Sequence, residues 1–186
     1  MTERNVPGFA IGGLSGGEEK AKFCKVVDFC TDKLPPNKPR YLMGVGYTLD
    51  LVVCTALGCD MYDCVFPTRT ARFGSALTYY GSLDLKNAQY LIDIDPIDRK
   101  CVCYACQNYT RSHIHHLLMS NCTVGAQLVT IHNLYFQKHL MSSMRNAILG
   151  DTFDVWVKEF IRNYTQTSKV PEWVENALKT VNIVLD

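Results

Sequence analysis

Short apolar runs alternate with amphipathic stretches over the first third of the chain. Residues 8–14 (Gly-Phe-Ala-Ile-Gly-Gly-Leu) read as a strand closed by a glycine turn. Residues 18–34 carry Phe23, Val26, Val27 and Cys30 at helical spacing, with acids in the first turn, and Pro35, Pro36 and Pro39 end that helix. Tyr41-Leu42-Met43-Gly44-Val45 predicts a second strand, residues 49–57 a second helix, and residues 61–66 a third strand. Strand, helix, strand, helix, strand with short connections is the pattern of a parallel sheet with crossover helices. Three strands are few for such a sheet, whose faces must both be covered, so the front of the fold is expected to lie outside this sequence.

The pattern changes at Pro67. Residues 73–85 predict an irregular hairpin turning at Tyr79-Tyr80-Gly81-Ser82, and a cysteine-rich stretch follows. Residues 110–119, 124–149, 152–164 and 171–181 then have helical periodicity. No internal repeat or low-complexity segment interrupts them.

Asp63 stands out within the third apolar run, Met61-Tyr62-Asp63-Cys64-Val65-Phe66, just before Pro67 and the run Thr68-Arg69-Thr70-Ala71-Arg72. The pattern predicts a carboxylate on a buried strand near its end. Burying an ionised carboxylate is costly unless it is paired or used in chemistry. On the residues alone a structural Asp, bonded to backbone amides or to Arg69, is the simpler reading, since structural ion pairs outnumber catalytic carboxylates.

Composition narrows the choice. With 186 residues, 47% hydrophobic and 20% charged, the chain can form a real core and is not largely disordered. A formal charge of +1 gives no global attraction to nucleic acid, so any basic site is local, and Arg69 with Arg72 is one candidate. The start has no apolar signal core, and no uninterrupted apolar stretch spans a bilayer, so a soluble, intracellular protein is expected. Nine cysteines in that setting point to thiols and metal rather than disulfides.

Cys101, Cys103 and Cys106 place three soft ligands within six residues. With one histidine they suit a closed tetrahedral zinc site, structural because four protein ligands leave no open position. His132 on the second tail helix can complete it, and His113, His115 and His116 compete. The other cysteines (Cys24, Cys30, Cys54, Cys59, Cys64 and Cys122) fall on apolar faces or helix edges, and most read as small core residues. Gly12-Gly13 and Gly44-Val45-Gly46 both fall at carboxyl ends of strands, where α/β sheets bind ligands. Tyr41 and Met43 would there offer flat or soft surfaces to a planar ligand. Neither glycine pattern is a dinucleotide fingerprint or a P-loop.

Taken together, Phe9-Ala10-Ile11-Gly12-Gly13-Leu14, Tyr41-Leu42-Met43-Gly44-Val45-Gly46, Gly58-Cys59-Asp60-Met61-Tyr62-Asp63-Cys64-Val65-Phe66-Pro67-Thr68-Arg69, the cysteine trio and Thr130-Ile131-His132-Asn133 resemble the tRNA-guanine transglycosylase family over nearly the whole chain. The resemblance implies the C-terminal part of a (β/α)8 TIM barrel, its last three strands, with a zinc-binding insertion and C-terminal helices. Residues 1–72 would be the barrel portion with the active-site Asp, and residues 73–186 the zinc-binding subdomain and C-terminal helices.

The family exchanges guanine at the wobble position of tRNAs with a GUN anticodon for a deazaguanine base. By resemblance Asp63 is the nucleophile that attacks ribose C1′ and holds tRNA covalently. Gly12, Gly13 and Leu14 would offer backbone contacts to the base, Met43 would pack on its ring, and Thr68, Arg69 and Arg72 would hold the anticodon loop. Cys101, Cys103, Cys106 and His132 match the zinc ligands, which decides against His115 and His116. Gly16, in place of a bulkier bacterial residue, and the run from Phe66 to Leu77 imply a eukaryotic member using queuine. The resemblance further implies a homologous accessory subunit or a homodimer, and a cytoplasmic enzyme with peripheral association with the mitochondrial outer membrane. Full-length members carry an N-terminal half with further base-binding carboxylates, a general acid/base Asp and five barrel strands. None of that is found in this sequence. The competing reading is therefore a truncated or accessory-type module that binds tRNA or a partner without turnover; retention of Asp63 favours the enzyme.

Overall fold

Parallel strands form where the sequence offers an apolar run between a helix end and a glycine turn. The computed structural model describes residues 4–166 and 168–185. In it β1 (Phe9–Ile11), β2 (Arg40–Leu42) and β3 (Met61–Tyr62) make one parallel sheet in the order β1-β2-β3. Ile11 stands opposite Leu42, and Leu42 opposite Tyr62. The crossovers are α1 (Lys20–Lys33), which buries Phe23, Cys24, Val27 and Thr31, and α2 (Thr48–Ala56), which buries Leu51 to Cys54. Helix α1 starts later than the acidic residues predict, because the Glu18 carboxylate instead accepts the backbone N–H groups of Ser15 (2.6 Å) and Gly16 (2.8 Å). Helix α2 ends in a Schellman arrangement. Cys59 N–H reaches back to Cys54 C=O, Gly58 N–H bonds Thr55 C=O, and Gly58 takes the left-handed conformation this needs (φ +97°).

The third strand is shorter than the apolar run. It ends at Tyr62, and Phe66–Arg72 is helix α3 rather than the end of a strand. Pro67 sits in the first turn of α3, where a missing N–H breaks no helical bond, so the proline opens a helix as well as ending the run. Asp63 is correspondingly exposed, not on a buried strand as its neighbours predict. In this sheet β3 is an edge strand, and Met61 and Val65 beside it are exposed too.

The hairpin is regular. Strands β4 (Ser75–Thr78) and β5 (Gly81–Asp84) pair antiparallel, Thr78 opposite Gly81, so the turn is Tyr79-Tyr80 alone and Gly81-Ser82 belong to β5. A 3-10 turn (Ala88–Tyr90) leads to α4 (Tyr104–Asn108), α5 (Arg111–Met119) and the 27-residue α6 (Thr123–Leu149). Thr110 caps α5 through its hydroxyl, which accepts His113 N–H at 3.1 Å. Helices α7 (Phe153–Thr165) and α8 (Glu172–Thr180) complete eight α-helices among the described residues. None of these is long and apolar enough to cross a membrane.

Packing divides the chain into two units. One comprises residues up to Val65, Asp151–Arg162 and the segment after 167; the other comprises Phe66–Gly150 and Asn163–Gln166. In the first, α8 packs on α1 and α2 and buries Val174, Ala177 and Leu178. In the second, α6 runs past α3, α4, α5 and β4. Ala71, Ala76, Leu85, Ile114 and Val129 are fully buried in its core. The division at 72/73 drawn from the sequence follows motifs; this one follows packing.

Candidate active site and metal centre

Because the three strands are parallel, their carboxyl ends share one edge of the sheet. Gly12, Met43 and Asp63 follow those ends. The Met43 N–H bonds Ile11 C=O at 3.0 Å, and its thioether lies over Gly12 so closely that a Cβ there would be 2.9 Å from Sδ. Gly12 is therefore small because Met43 occupies the space. Gly13 (φ +76°) is exposed and Leu14 half-buried.

Two donors hold Asp63. The Tyr41 hydroxyl donates at 2.5 Å and the Gly44 backbone N–H at 2.9 Å, both to Oδ1. Oδ2 lies outside this pair of bonds. The Tyr41 hydroxyl, and then the Gly44 amide, hold the Asp63 carboxyl below its usual range, and the same bond pushes the Tyr41 phenol up. Asp63 is thus an exposed, ionised and oriented carboxylate at neutral pH. Such a group can act as nucleophile or base. The sequence singled out Tyr41 only as a flat surface and Gly44 only as part of a glycine pair at a ligand-binding strand end. Their role as donors depends on strand register, which sequence spacing does not contain.

Beside Gly44 a cleft of about 350 Å³ is lined by Ser15, Gly17, Glu18, Lys20, Tyr47 and Asp50 among others. At its side the buried Asp50 pairs with Lys20 at 2.5 Å. The Lys20 ammonium also lies over the rings of Phe23 and Tyr47 (5.3 Å each) and Trp173 (5.8 Å). Burial pushes the Asp50 carboxyl up, with Lys20 opposing.

Thr68, Arg69 and Arg72 lie on α3. Pro67 and Ala71, four apart, form its buried face, which leaves Arg69 and Arg72 exposed and Thr68 half-buried. Neither guanidinium has an ion-pair partner among the described residues.

The cysteine trio and His132 converge. Cys103 N-caps α4, its sulfur accepting the Cys106 N–H at 3.4 Å, and this curls the loop so that the sulfurs face α6. His132 is fully buried on α6, with Nδ1 at 3.6, 3.6 and 3.3 Å from Cys101, Cys103 and Cys106 Sγ. All the ligand atoms lie within 4.8 Å of one another. A tetrahedral zinc with ordinary Zn–S and Zn–N bonds would set sulfur and nitrogen about 3.5 Å apart. The cluster has those dimensions.

Leu77 C=O accepts from His132 Nε2 at 2.8 Å, so Nε2 carries a proton and Nδ1 is the nitrogen turned to the sulfurs, able to ligate a metal once it gives up its own proton. Burial pushes the imidazole pKa down, but the sulfurs of Cys101 and Cys103 and the Leu77 carbonyl prevail, and it is pushed up to about 9. Cys101 and then Cys106 hydrogen-bond to the Cys103 sulfur and hold it as thiolate, and the same sharing pushes Cys106 up. His115 is buried elsewhere, bonded through Nδ1 to Leu85 C=O at 2.8 Å, while His113 packs its ring near Tyr109. His116 also stands outside the cluster. Burial pushes the Cys24 thiol up to about 11 and Cys59 up to about 12, as expected of small core residues.

Residues 1–166 match the family described as queuine tRNA-ribosyltransferase. The chain belongs to that family. It is 52% identical to the queuine tRNA-ribosyltransferase catalytic subunit of Schizosaccharomyces pombe, covering all of this chain and 48% of that protein. It is 44% identical to the catalytic subunit of Caenorhabditis elegans, covering all of this chain and 50% of the relative. The queuine tRNA-ribosyltransferase of the bacterium Halothermothrix orenii is 49% identical over 88% of this chain and 44% of its own length. The chain therefore spans about half the length of the curated queuine tRNA-ribosyltransferases it matches.

Proposed function

We propose that this chain is the part of a queuine tRNA-ribosyltransferase that carries the nucleophile, exchanging guanine at the wobble position of a GUN anticodon for queuine. The observation that carries this reading is the ionised Asp63 carboxylate, aimed by Tyr41 and Gly44 at the carboxyl edge of a parallel sheet. Asp63 attacks ribose C1′ of the target nucleotide, and the C1′–N9 bond breaks as guanine leaves with that electron pair and gains a proton. The incoming queuine then loses its N9 proton and attacks C1′, and the Asp63–ribose bond breaks. A carboxylate suits both halves, since it stabilises oxocarbenium character and is also a good leaving group.

Gly12, Gly13 and Leu14 would offer main-chain groups to the base, and Met43, held at Gly12 and partly exposed, would cover its ring. Thr68, Arg69 and Arg72 on α3 would take the anticodon loop by phosphate and base contacts, with exposed Arg69 and Arg72 in support. In this reading the three strands are the last of a TIM barrel within residues 1–72, and residues 73–186 are the zinc-binding subdomain and C-terminal helices. Cys101, Cys103, Cys106 and His132 would hold structural zinc, which when bound ties the α4 loop to α6. Family resemblance supports a homologous accessory subunit or a second copy as partner, a cytoplasmic setting and mitochondrial outer-membrane association. The acid/base group that moves the base protons is placed by the same resemblance in a segment preceding these residues.

A second reading, a tRNA- or partner-binding zinc module without turnover, is favoured by the half-length coverage of the relatives. Exchange of labelled guanine into tRNA, with Asp63→Ala beside the native chain, separates them. Incorporation by the native chain alone supports the enzyme. Incorporation that survives the substitution would sink the nucleophile assignment, and none by either protein favours the binding module.

A further inference from the structure

We infer that Asn133 is a positioning residue, which couples metal binding at His132 to the placement of α3. The inference rests on the reading of α3 as the RNA-binding element. Asn133 is fully buried beside His132 on α6. Its Oδ1 accepts Leu77 N–H at 2.9 Å, and its Nδ2 donates to Pro67 C=O and to Ser75 C=O, both at 3.0 Å. His132 bonds the carbonyl of the same Leu77. One dipeptide therefore holds both main-chain polar groups of Leu77, the first turn of α3 and the start of β4.

Helix α3 depends on such a clamp. It has seven residues, too few to persist without tertiary contacts. Asn133 grips Pro67 on its inner face, opposite the exposed Arg69 and Arg72. Buried amides that satisfy several main-chain groups fix one arrangement of the surrounding elements, because each alternative leaves a buried polar group unpaired. Metal ligation fixes His132, and with it the register of Asn133 on α6. Zinc bound on one side of α6 thereby sets the guanidinium groups on the α3 surface.

The test uses the full zinc-loaded chain, a fluorescent anticodon stem-loop with a GUN anticodon, and three variants: Asn133→Leu, Asn133→Ser and Arg69→Ala. Amide hydrogen exchange over residues 66–78, zinc content and RNA affinity are measured on each. In Asn133→Leu, exchange protection of residues 66–78 should fall while α5 keeps its protection and zinc stays at one per chain. RNA affinity should drop as far as in Arg69→Ala, and Asn133→Ser, which keeps one donor, should lie between Asn133→Leu and the native chain. Should Asn133→Leu not fold, Asn133→Ser carries the comparison. Unchanged protection of residues 66–78, or native RNA affinity where Arg69→Ala is weakened, overturns the inference and leaves α3 as the RNA site. Native affinity in Arg69→Ala instead removes the RNA reading of α3, and the positioning role falls with it.

Discussion

Asp63 illustrates what a single residue discloses. Its place in an apolar run marked it as unusual, but the expected cause was burial, and the structure gives another: an exposed carboxylate oriented by a phenol and an amide. Tyr41 escaped notice as the donor because it stands 22 positions earlier, and only the pairing of Leu42 with Tyr62 brings the two side by side. The consequence for pH has a definite sign. The Asp63 pKa is lowered in the folded chain, so the ionised form prevails above the usual carboxylate range and is lost as pH falls through the lowered value. Tyr41→Phe removes the principal cause, so the midpoint should move to higher pH, read by carbon NMR of the Asp63 carboxyl. An unmoved midpoint would mean that Tyr41 does not tune it. Gly12→Ala should leave the fold intact, since the thioether it meets is flexible, yet displace Met43 and weaken binding of free base in a calorimetric titration.

Elements were legible where periodicity and punctuation agreed. The predicted crossover helices, the hairpin and the long helix beginning near residue 124 all appear. The third strand was overread because Met61 to Phe66 is apolar apart from Asp63, and a short, mostly apolar run does not distinguish a strand from a loop that enters a helix. Helix ends are more decisive. Gly58 combines a left-handed backbone with contact to Arg40, whose Nη1 would lie 2.9 Å from an added Cβ and also donates to Gly58 C=O at 3.2 Å. Gly58→Ala should therefore cost more than about 1 kcal/mol in urea denaturation. A variant as stable as the native chain would show that the Schellman turn relaxes without loss.

At the scale of the whole molecule the cluster of candidate metal ligands was legible and the packing units were not. Thiol spacing names three ligands, and the resemblance names His132 over its rivals; the buried cluster agrees with both. Metal analysis should find one zinc per chain, and Cys103→Ser should lose it while keeping an α4 cap, since a serine hydroxyl can accept the same Cys106 N–H. Zinc-free native chain with an intact fold would refute the site. The return of residues 151–162 and 168–185 to the unit begun by residues 4–65 has no counterpart in spacing or composition, since it follows from which apolar faces find each other.

That return also imposes an order on synthesis. The unit spanning Phe66–Gly150 is nearly continuous in sequence, so it can close while the ribosome is still adding the tail. The other unit closes later than Phe66–Gly150, because α8, which packs on α1 and α2, is made after that stretch. Within these residues α1 and α2 are therefore made before the Phe66–Gly150 unit and completed after it, and in that interval the faces that α8 later covers are open to chaperones.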